Sequence, residues 1–121
     1  MTTPQTIADH YIATWNETDP DRRLALLKSG WTAAATYVDP VAGVAGVEQI
    51  NGLIGGAQAQ FPGFRFVLKG APDGHGDHVR LAWSLGPDGA PAPIEGSDVI
   101  VTDGGRIAQV IGFLDKLPQT A

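Results

Sequence analysis

Phe64-Arg65-Phe66-Val67-Leu68-Lys69 is where the chain changes its period. Upstream of it, apolar residues recur every three or four positions, as on one face of a helix. From Phe64 onward the chain breaks into short runs rich in β-branched and aromatic residues: His78 to Leu85, Ile94 to Thr102 and Arg106 to Leu114. Clusters that favour turns separate them, at Ala71-Pro72-Asp73-Gly74, Gly86-Pro87-Asp88-Gly89 and Asp103-Gly104-Gly105, and this alternation reads as strands joined by reversals. The last cluster is the signal of a tight hairpin. Helices segregated before a run of antiparallel strands make the chain α+β, with the helices packed on one face of a curved sheet.

The helices carry their own punctuation. Thr3 as N-cap, Pro4 at the first helical position, and Ile7, Tyr11 and Trp15 at i, i+4 and i+8 predict an amphipathic helix over residues 4–16. Asp19 caps a second helix that has Pro20 at its start, Leu24 and Leu27 on its apolar face and Ser29-Gly30 at its end. A turn of small residues from Trp31 to Ala35 is expected next, then a short strand Thr36-Tyr37-Val38 stopped by Asp39-Pro40. Gly43 and Gly46 mark a loop, and Val47, Ile50, Leu53, Ile54 and Ala57 predict a third helix over residues 47–60, closed by Pro62-Gly63.

The 121 residues, 43% apolar with 16 Gly, 9 Pro and no Cys, fit one domain over residues 1–121. Its core needs neither a disulfide nor a thiolate-held metal. Thirteen acids against eight bases give a net charge of -5, which disfavours a binder of nucleic acid or of an anionic membrane surface. No apolar run approaches the about 20 residues of a membrane span, and the N-terminus has no signal-peptide pattern, so a cytoplasmic location is expected.

Several of these pieces recur together elsewhere. Tyr11-Ile12-Ala13-Thr14-Trp15-Asn16 with Asp19, Ala35-Thr36-Tyr37-Val38-Asp39-Pro40-Val41, the helix opened by Gly46, Phe61-Pro62-Gly63, Gly96-Ser97-Asp98, Gly104-Gly105-Arg106-Ile107 and Gly112-Phe113 follow one another over nearly the whole chain. In that order and spacing the sequence resembles the nuclear transport factor 2-like (NTF2-like) superfamily, in its SnoaL-like and ketosteroid isomerase-like branch. The resemblance implies a cone-shaped, curved antiparallel sheet covered by about three N-terminal helices, a cystatin-like α+β barrel. It also implies a blind apolar cavity at the mouth of the cone.

The resemblance extends to a catalytic set. Ketosteroid isomerases carry a first-helix tyrosine in Tyr-Val-Ala-Ala-Leu-Asn, and Tyr11 stands at that place. They carry a basic aspartate in Asp-Pro-Val-Gly, and Asp39 of Asp39-Pro40-Val41-Ala42 stands there. Their second, protonated aspartate precedes the glycine of the last hairpin by about six residues, which points to Asp98, whereas their local Ala-Pro-Ile motif points to Glu95 after Ala92-Pro93-Ile94. Three residues apart on a strand, the two acids face opposite ways, and Asp98 is preferred because its spacing is the commoner SnoaL-like one.

The chemistry these residues suit is removal of a proton next to a carbonyl. That step needs a base over the carbon and hydrogen-bond donors at the oxygen that becomes negative. The resemblance gives Asp39 the role of base, with Tyr11 and a protonated Asp98 as donors, and it calls for no cofactor and no metal. Ketosteroid isomerase is itself the standard example of a carboxylic acid kept neutral by an apolar site. Structural alternatives exist for each: Asp39 before Pro40 is a common strand stop, Tyr11 fits a helix core face, and an outward Asp98 could pair with Arg80 or Arg106. Trp15, Phe61, Trp83, Val110 and Leu114 are the expected substrate-binding residues, and Phe64, Phe66 and Phe113 add aromatic surface that suits a flat polycyclic ligand. The resemblance then implies a ketosteroid isomerase-like enzyme, with a SnoaL-like polyketide cyclase and a non-catalytic binder of small hydrophobic molecules as the alternatives.

The remaining constellations carry less. His75-Gly76-Asp77-His78 has a spacing compatible with a metal but no third ligand, and His10 is expected off the cavity face. Arg80-Leu81-Ala82 lacks the acid that limonene epoxide hydrolases place after an arginine, and no histidine matches the dehydratase positions. Ile107, Ile111 and Phe113 are expected on the face opposite Ala108, Val110, Gly112 and Leu114, an apolar outer surface that calls for a homodimer.

Overall fold

The computed structural model describes residues 3–118. Helix α1 spans Pro4–Asn16, with the Thr3 hydroxyl accepting from the Thr6 amide at 3.1 Å. Helix α2 spans Pro20–Gly30, and the Asp19 carboxylate that caps it accepts from the Asp21 and Arg22 amides at 2.9 and 3.4 Å. Both ends therefore follow the local rule that a side-chain oxygen satisfies amides the helix leaves free. Strands β1 (Trp31–Val38) and β2 (Gly43–Ala45) precede helix α3 (Val47–Gln60), and β3 (Phe64–His75), β4 (His78–Pro87), β5 (Ile94–Asp103) and β6 (Arg106–Lys116) complete the chain.

The six strands form one curved sheet in the order β2-β1-β6-β5-β4-β3. The meander from β3 to β6 reverses at three successive turns and brings β6 back beside β1. There the pairing is parallel, whereas the other four pairings are antiparallel. The sheet is thus mixed, and it stays open between β2 and β3 instead of closing into a barrel.

Side chains of α1 and α3 fill the concave face. Ile7, Ala8, Tyr11 and Trp15 from α1 and Ile50 and Ile54 from α3 meet Val79, Leu81, Trp83 and Leu85 of β4 and Ile94 and Ile100 of β5. Each fully buried aliphatic side chain there contributes about 2 kcal/mol by leaving water. Polar clamps fix the helices over this layer. Asn16 at the end of α1 exchanges two 2.8 Å hydrogen bonds with the Phe66 backbone on β3. Buried Arg23 donates to the Glu17 carbonyl at 2.8 Å and to Gln58 at 2.9 Å, joining the α1–α2 connection to α3.

Four local readings of the sequence are corrected. The stretch from Trp31 to Ala35 is strand and not turn, because Trp31 and Ala35 are buried under the helices while the backbone pairs irregularly with β6. Gly43–Ala45 pairs with β1 instead of looping free. Strand β3 continues through Ala71-Pro72-Asp73-Gly74, absorbing them in a bulge between Lys69 and Asp73 where Gly70 takes φ 64, and the reversal falls at Gly76-Asp77. Finally, Ile107 does not share the outer face of Ile111 and Phe113. A bulge in β6 pairs Val101 with Gln109 but Thr102 with Ile107, so Ala108 is extra and Ile107 turns inward beside Val110, both wholly buried.

Candidate active site

Between α1, α3 and the concave face lies a cavity of about 730 Å³. Its wall is mostly apolar, and the polar side chains that reach it include Tyr11 from α1, Tyr37 from β1 with Asp39 just beyond its end, Gln60 from the end of α3, and Asp98 from the middle of β5. Trp15, Phe61, Trp83 and Leu114 line it, and Phe66 joins them. Val110 does not; it is sealed in the core between the helices and β6. Phe64 stands apart from this cavity, stacked on Phe61 at 5.4 Å, and Phe113 points outward and is 55% exposed.

Alternation along β5 decides between the two acids. Asp98 points inward with Gly96 and Ile100 and is 2% exposed, while Glu95 points outward to an ion pair with Lys69 at 2.9 Å. Arg80, a conceivable partner for an outward Asp98, pairs instead with Asp73 at 2.8 Å. One oxygen of Asp98, Oδ2, accepts from the Tyr11 hydroxyl at 2.7 Å and from the Trp83 indole N–H at 3.0 Å. The other, Oδ1, faces the backbone of Gly112, where a Cβ would stand only 2.8 Å away.

Burial pushes the Asp98 carboxyl up to about 6, against the pull of the Tyr11 and Trp83 hydrogen bonds, which favour its anion. Nearby Asp39 adds to the upward push by charge repulsion. Burial also drives the Tyr11 hydroxyl well above its ordinary value, with the Asp98 charge contributing, so Tyr11 stays a neutral donor.

Asp39 is held differently. Its Oδ1 accepts from the Val41 and Ala42 amides, both at 2.8 Å, in the turn that Pro40 forces. Its Oδ2 accepts from the Tyr37 hydroxyl at 2.7 Å. Tyr37 is the site residue that sequence reading missed. Its signal was plain alternation, since a residue two before Asp39 shares its face of the strand. Burial raises the Tyr37 hydroxyl far above its ordinary value, and the bond to Asp39 adds to this.

The histidines stand elsewhere. His10 donates from Nε2 to the Leu26 carbonyl at 2.9 Å, tying α1 to α2. His75 and His78 stack at 5.7 Å on the β3–β4 reversal. Among the described residues no group of three or more His, Cys, Asp or Glu could hold a metal ion, and no described helix is long and apolar enough to cross a membrane.

Comparison with known proteins returns the same fold, an open curved sheet covered by three helices. Residues 8–110 match the model of the SnoaL-like domain. The chain belongs to the SnoaL-like family. A candidate isomerase of that family from Agrobacterium tumefaciens is 43% identical, over 91% of this chain and 95% of that one, with a TM-score of 0.87. A protein of ketosteroid isomerase-like fold from Catenulispora acidiphila, solved in complex with trimethylamine, is 28% identical over 92% of this chain and 85% of that one, with a TM-score of 0.72. A candidate SnoaL-like polyketide cyclase from Jannaschia sp. CCS1 shares the fold at 16% identity and a TM-score of 0.71, over 93% of this chain and 87% of that one. No curated protein matches.

Proposed function

We propose that this SnoaL-like protein catalyses cofactor-independent proton transfer on an enolisable carbonyl compound of polycyclic or steroid-like size, as an isomerase. The observation that carries this reading is the Asp98 carboxyl, 2% exposed on the wall of an apolar cavity and pushed up to about 6. With Oδ2 committed as an acceptor of two hydrogen bonds, a proton on Asp98 belongs on Oδ1, and that O–H is a donor for a ligand carbonyl.

The step follows. Asp39, as a carboxylate, takes a proton from the carbon next to the carbonyl. The C–H electron pair becomes the new C=C bond, and the carbonyl π pair moves to oxygen. The protonated Asp98 donates to that oxygen as charge grows on it. Return of the proton from Asp39 to a different carbon completes an isomerisation. Tyr11, expected as a second direct donor, spends its one proton on Asp98 Oδ2 in the free site, so its first effect is to aim the acid.

One observation favours a second assignment within the same chemistry. Both oxygens of Asp39 are tied by three hydrogen bonds, which opposes a swinging base, whereas Asp98 Oδ1 accepts none. In a cyclase-type reaction, Asp98 as carboxylate would take the proton, the enolate carbon would attack a second carbonyl of the same molecule, and the oxygen that receives its π pair would take the proton back.

The test is turnover of a β,γ-unsaturated ketone in D₂O, followed by absorbance of the conjugated product and by deuterium uptake. Loss of both in Asp39→Asn with ligand affinity intact supports Asp39 as base. Full activity in that variant shifts the base to Asp98, and no exchange on several enolisable ketones by the parent leaves the pocket a binding site only.

We infer also that a second copy of the chain covers the outer face of the sheet around Ile111 and Phe113.

A further inference from the structure

A carboxylate offers about four lone pairs, shared between its two oxygens, and those of Asp39 are unequally used. Oδ1 accepts from both the Val41 and the Ala42 amides at 2.8 Å, so the turn occupies both of its lone pairs. Oδ2 accepts from the Tyr37 hydroxyl alone, at 2.7 Å. The open lone pair of this carboxylate is therefore on Oδ2, beside the Tyr37 hydroxyl. That hydroxyl is itself held in place. Tyr37 is 5% exposed, its ring packs against Trp15 at 5.5 Å, and its one proton goes to Asp39. Burial keeps it a neutral donor. The other titratable side chains on the cavity wall are Asp98 of β5 and Tyr11 of α1, which are bonded to each other, and among the described residues α3, β4 and β6 present no charged side chain there.

We propose that Tyr37 is a positioning residue for the proton transfer, holding Asp39 so that Oδ2 is the atom that takes the proton and gives it back. The assignment rests on the reading of Asp39 as the base. In the first half of the step the open lone pair of Oδ2 forms the new O–H bond, while the C–H pair becomes the C=C bond of the enolate. In the second half the π pair makes the C–H bond at the other carbon and the O–H pair returns to Oδ2. Tyr37 keeps its own proton throughout. Asp39 is then a fixed base, to whose one free lone pair both carbons of the substrate come, and the three hydrogen bonds that oppose a swing serve to aim it. A base already held in the reactive direction has no orientation left to find in the transition state.

Kinetics of Tyr37→Phe and carbon NMR of the intact protein test the proposal. On a β,γ-unsaturated ketone kcat should fall about ten- to a hundredfold in that variant, the effect of a misaimed group. The low-pH limb of kcat/KM should also move to higher pH, because a carboxylate that loses a donor holds its proton longer. Carbon-13 at tyrosine Cζ reads the same contact without altering Tyr37, and the chain has only two tyrosines to tell apart. The Tyr37 signal should follow the protonation of Asp39 and lose that response in Asp39→Asn, which keeps the proposal testable even where Tyr37→Phe does not fold. A Tyr37→Phe protein with the parent's kcat and limb, a loss of kcat with the limb in place, as a merely structural role would give, or a Tyr37 signal indifferent to Asp39→Asn overturns the positioning role. Turnover that survives Asp39→Asn while the parent's Tyr37 signal still follows Asp39 overturns instead the reading of Asp39 as the base.

Discussion

Gly112 on β6 and Asp98 on β5 are direct cross-strand partners, and the Cβ that Gly112 lacks would stand 2.8 Å from Asp98 Oδ1. The same absent atom would lie 3.3 Å from Asp39 Cβ and 3.5 Å from the Tyr37 hydroxyl. One glycine thus makes the room in which two carboxyls and a tyrosine meet.

Gly112→Ala should displace Asp98, since a real Cβ essentially never comes within 3.0 Å of such a neighbour. Overpacking of this kind costs about 1–3 kcal/mol. Chemical denaturation should record that loss, together with weaker binding of 2-naphthol than by the parent. A variant as stable as the parent with unchanged phenol affinity contradicts the geometry.

Asp98→Asn should stabilise the protein near neutral pH. An acid whose pKa rises on folding, here from 3.8 to about 6, binds its proton more tightly in the native state, so its ionisation works against folding. That cost is absent below about pH 4, grows as pH rises through the folded value, and reaches about 3 kcal/mol at pH 7. The asparagine amide keeps an acceptor for Tyr11 and Trp83 without the charge. Urea unfolding at pH 4 and pH 8 should show parent and variant alike at the lower pH and the variant ahead at the higher.

The sign of the pH profile separates the two roles open to Asp98. As a proton-bearing donor it makes kcat/KM fall as pH rises through about 6, whereas as a base it makes kcat/KM rise there. Tyr11→Phe removes a hydrogen bond that holds Asp98 down, so the limb should move to higher pH in that variant. Turnover should drop on the order of 10² to 10³, as for loss of a group serving the oxyanion. A limb that stays in place would mean that another group titrates.

The outer sheet face should carry a dimer contact centred on Phe113, 55% exposed, with Ile111 beside it. Sedimentation at micromolar concentration should give twice the 12.6 kDa of one chain, and Phe113→Glu should give the single chain with the fold retained. A parent that sediments as one chain removes the contact.

Sequence alone made the framework legible where one residue settles a backbone conformation. Thr3 and Asp19 before a proline, and Gly104-Gly105 between two apolar runs, mark their elements without help from the rest of the chain. It failed where a distant partner decides. Trp31 to Ala35 has the composition of a turn and becomes strand only because β6 lies alongside. Ile107 has the parity of the outer face and is turned inward by one extra residue that nothing in its own neighbourhood announces. In the site, the faces of Asp98 and Glu95 followed from strand alternation, but which of the two was the inner face needed the helices in place. Tyr37 was overlooked although its spacing to Asp39 was available, and Val110 was assigned to a wall it does not reach.

The parallel pairing of β1 with β6 bears on how the protein is to be handled. Because the two strands run the same way, the turn after β1 and the end of β6 lie toward the same end of the sheet, and Val41, Ala42 and Leu117 all line the cavity there. Pro4, at the start of α1, sits instead by Gly74 near the β3–β4 reversal, at the other end of the sheet. The chain after Pro118 therefore sets out from the rim of the cavity, with any purification tag or immobilising linker it carries, and the chain ahead of Thr3 sets out from the far end. Probe titrations and surface-capture measurements belong on protein tethered through its beginning.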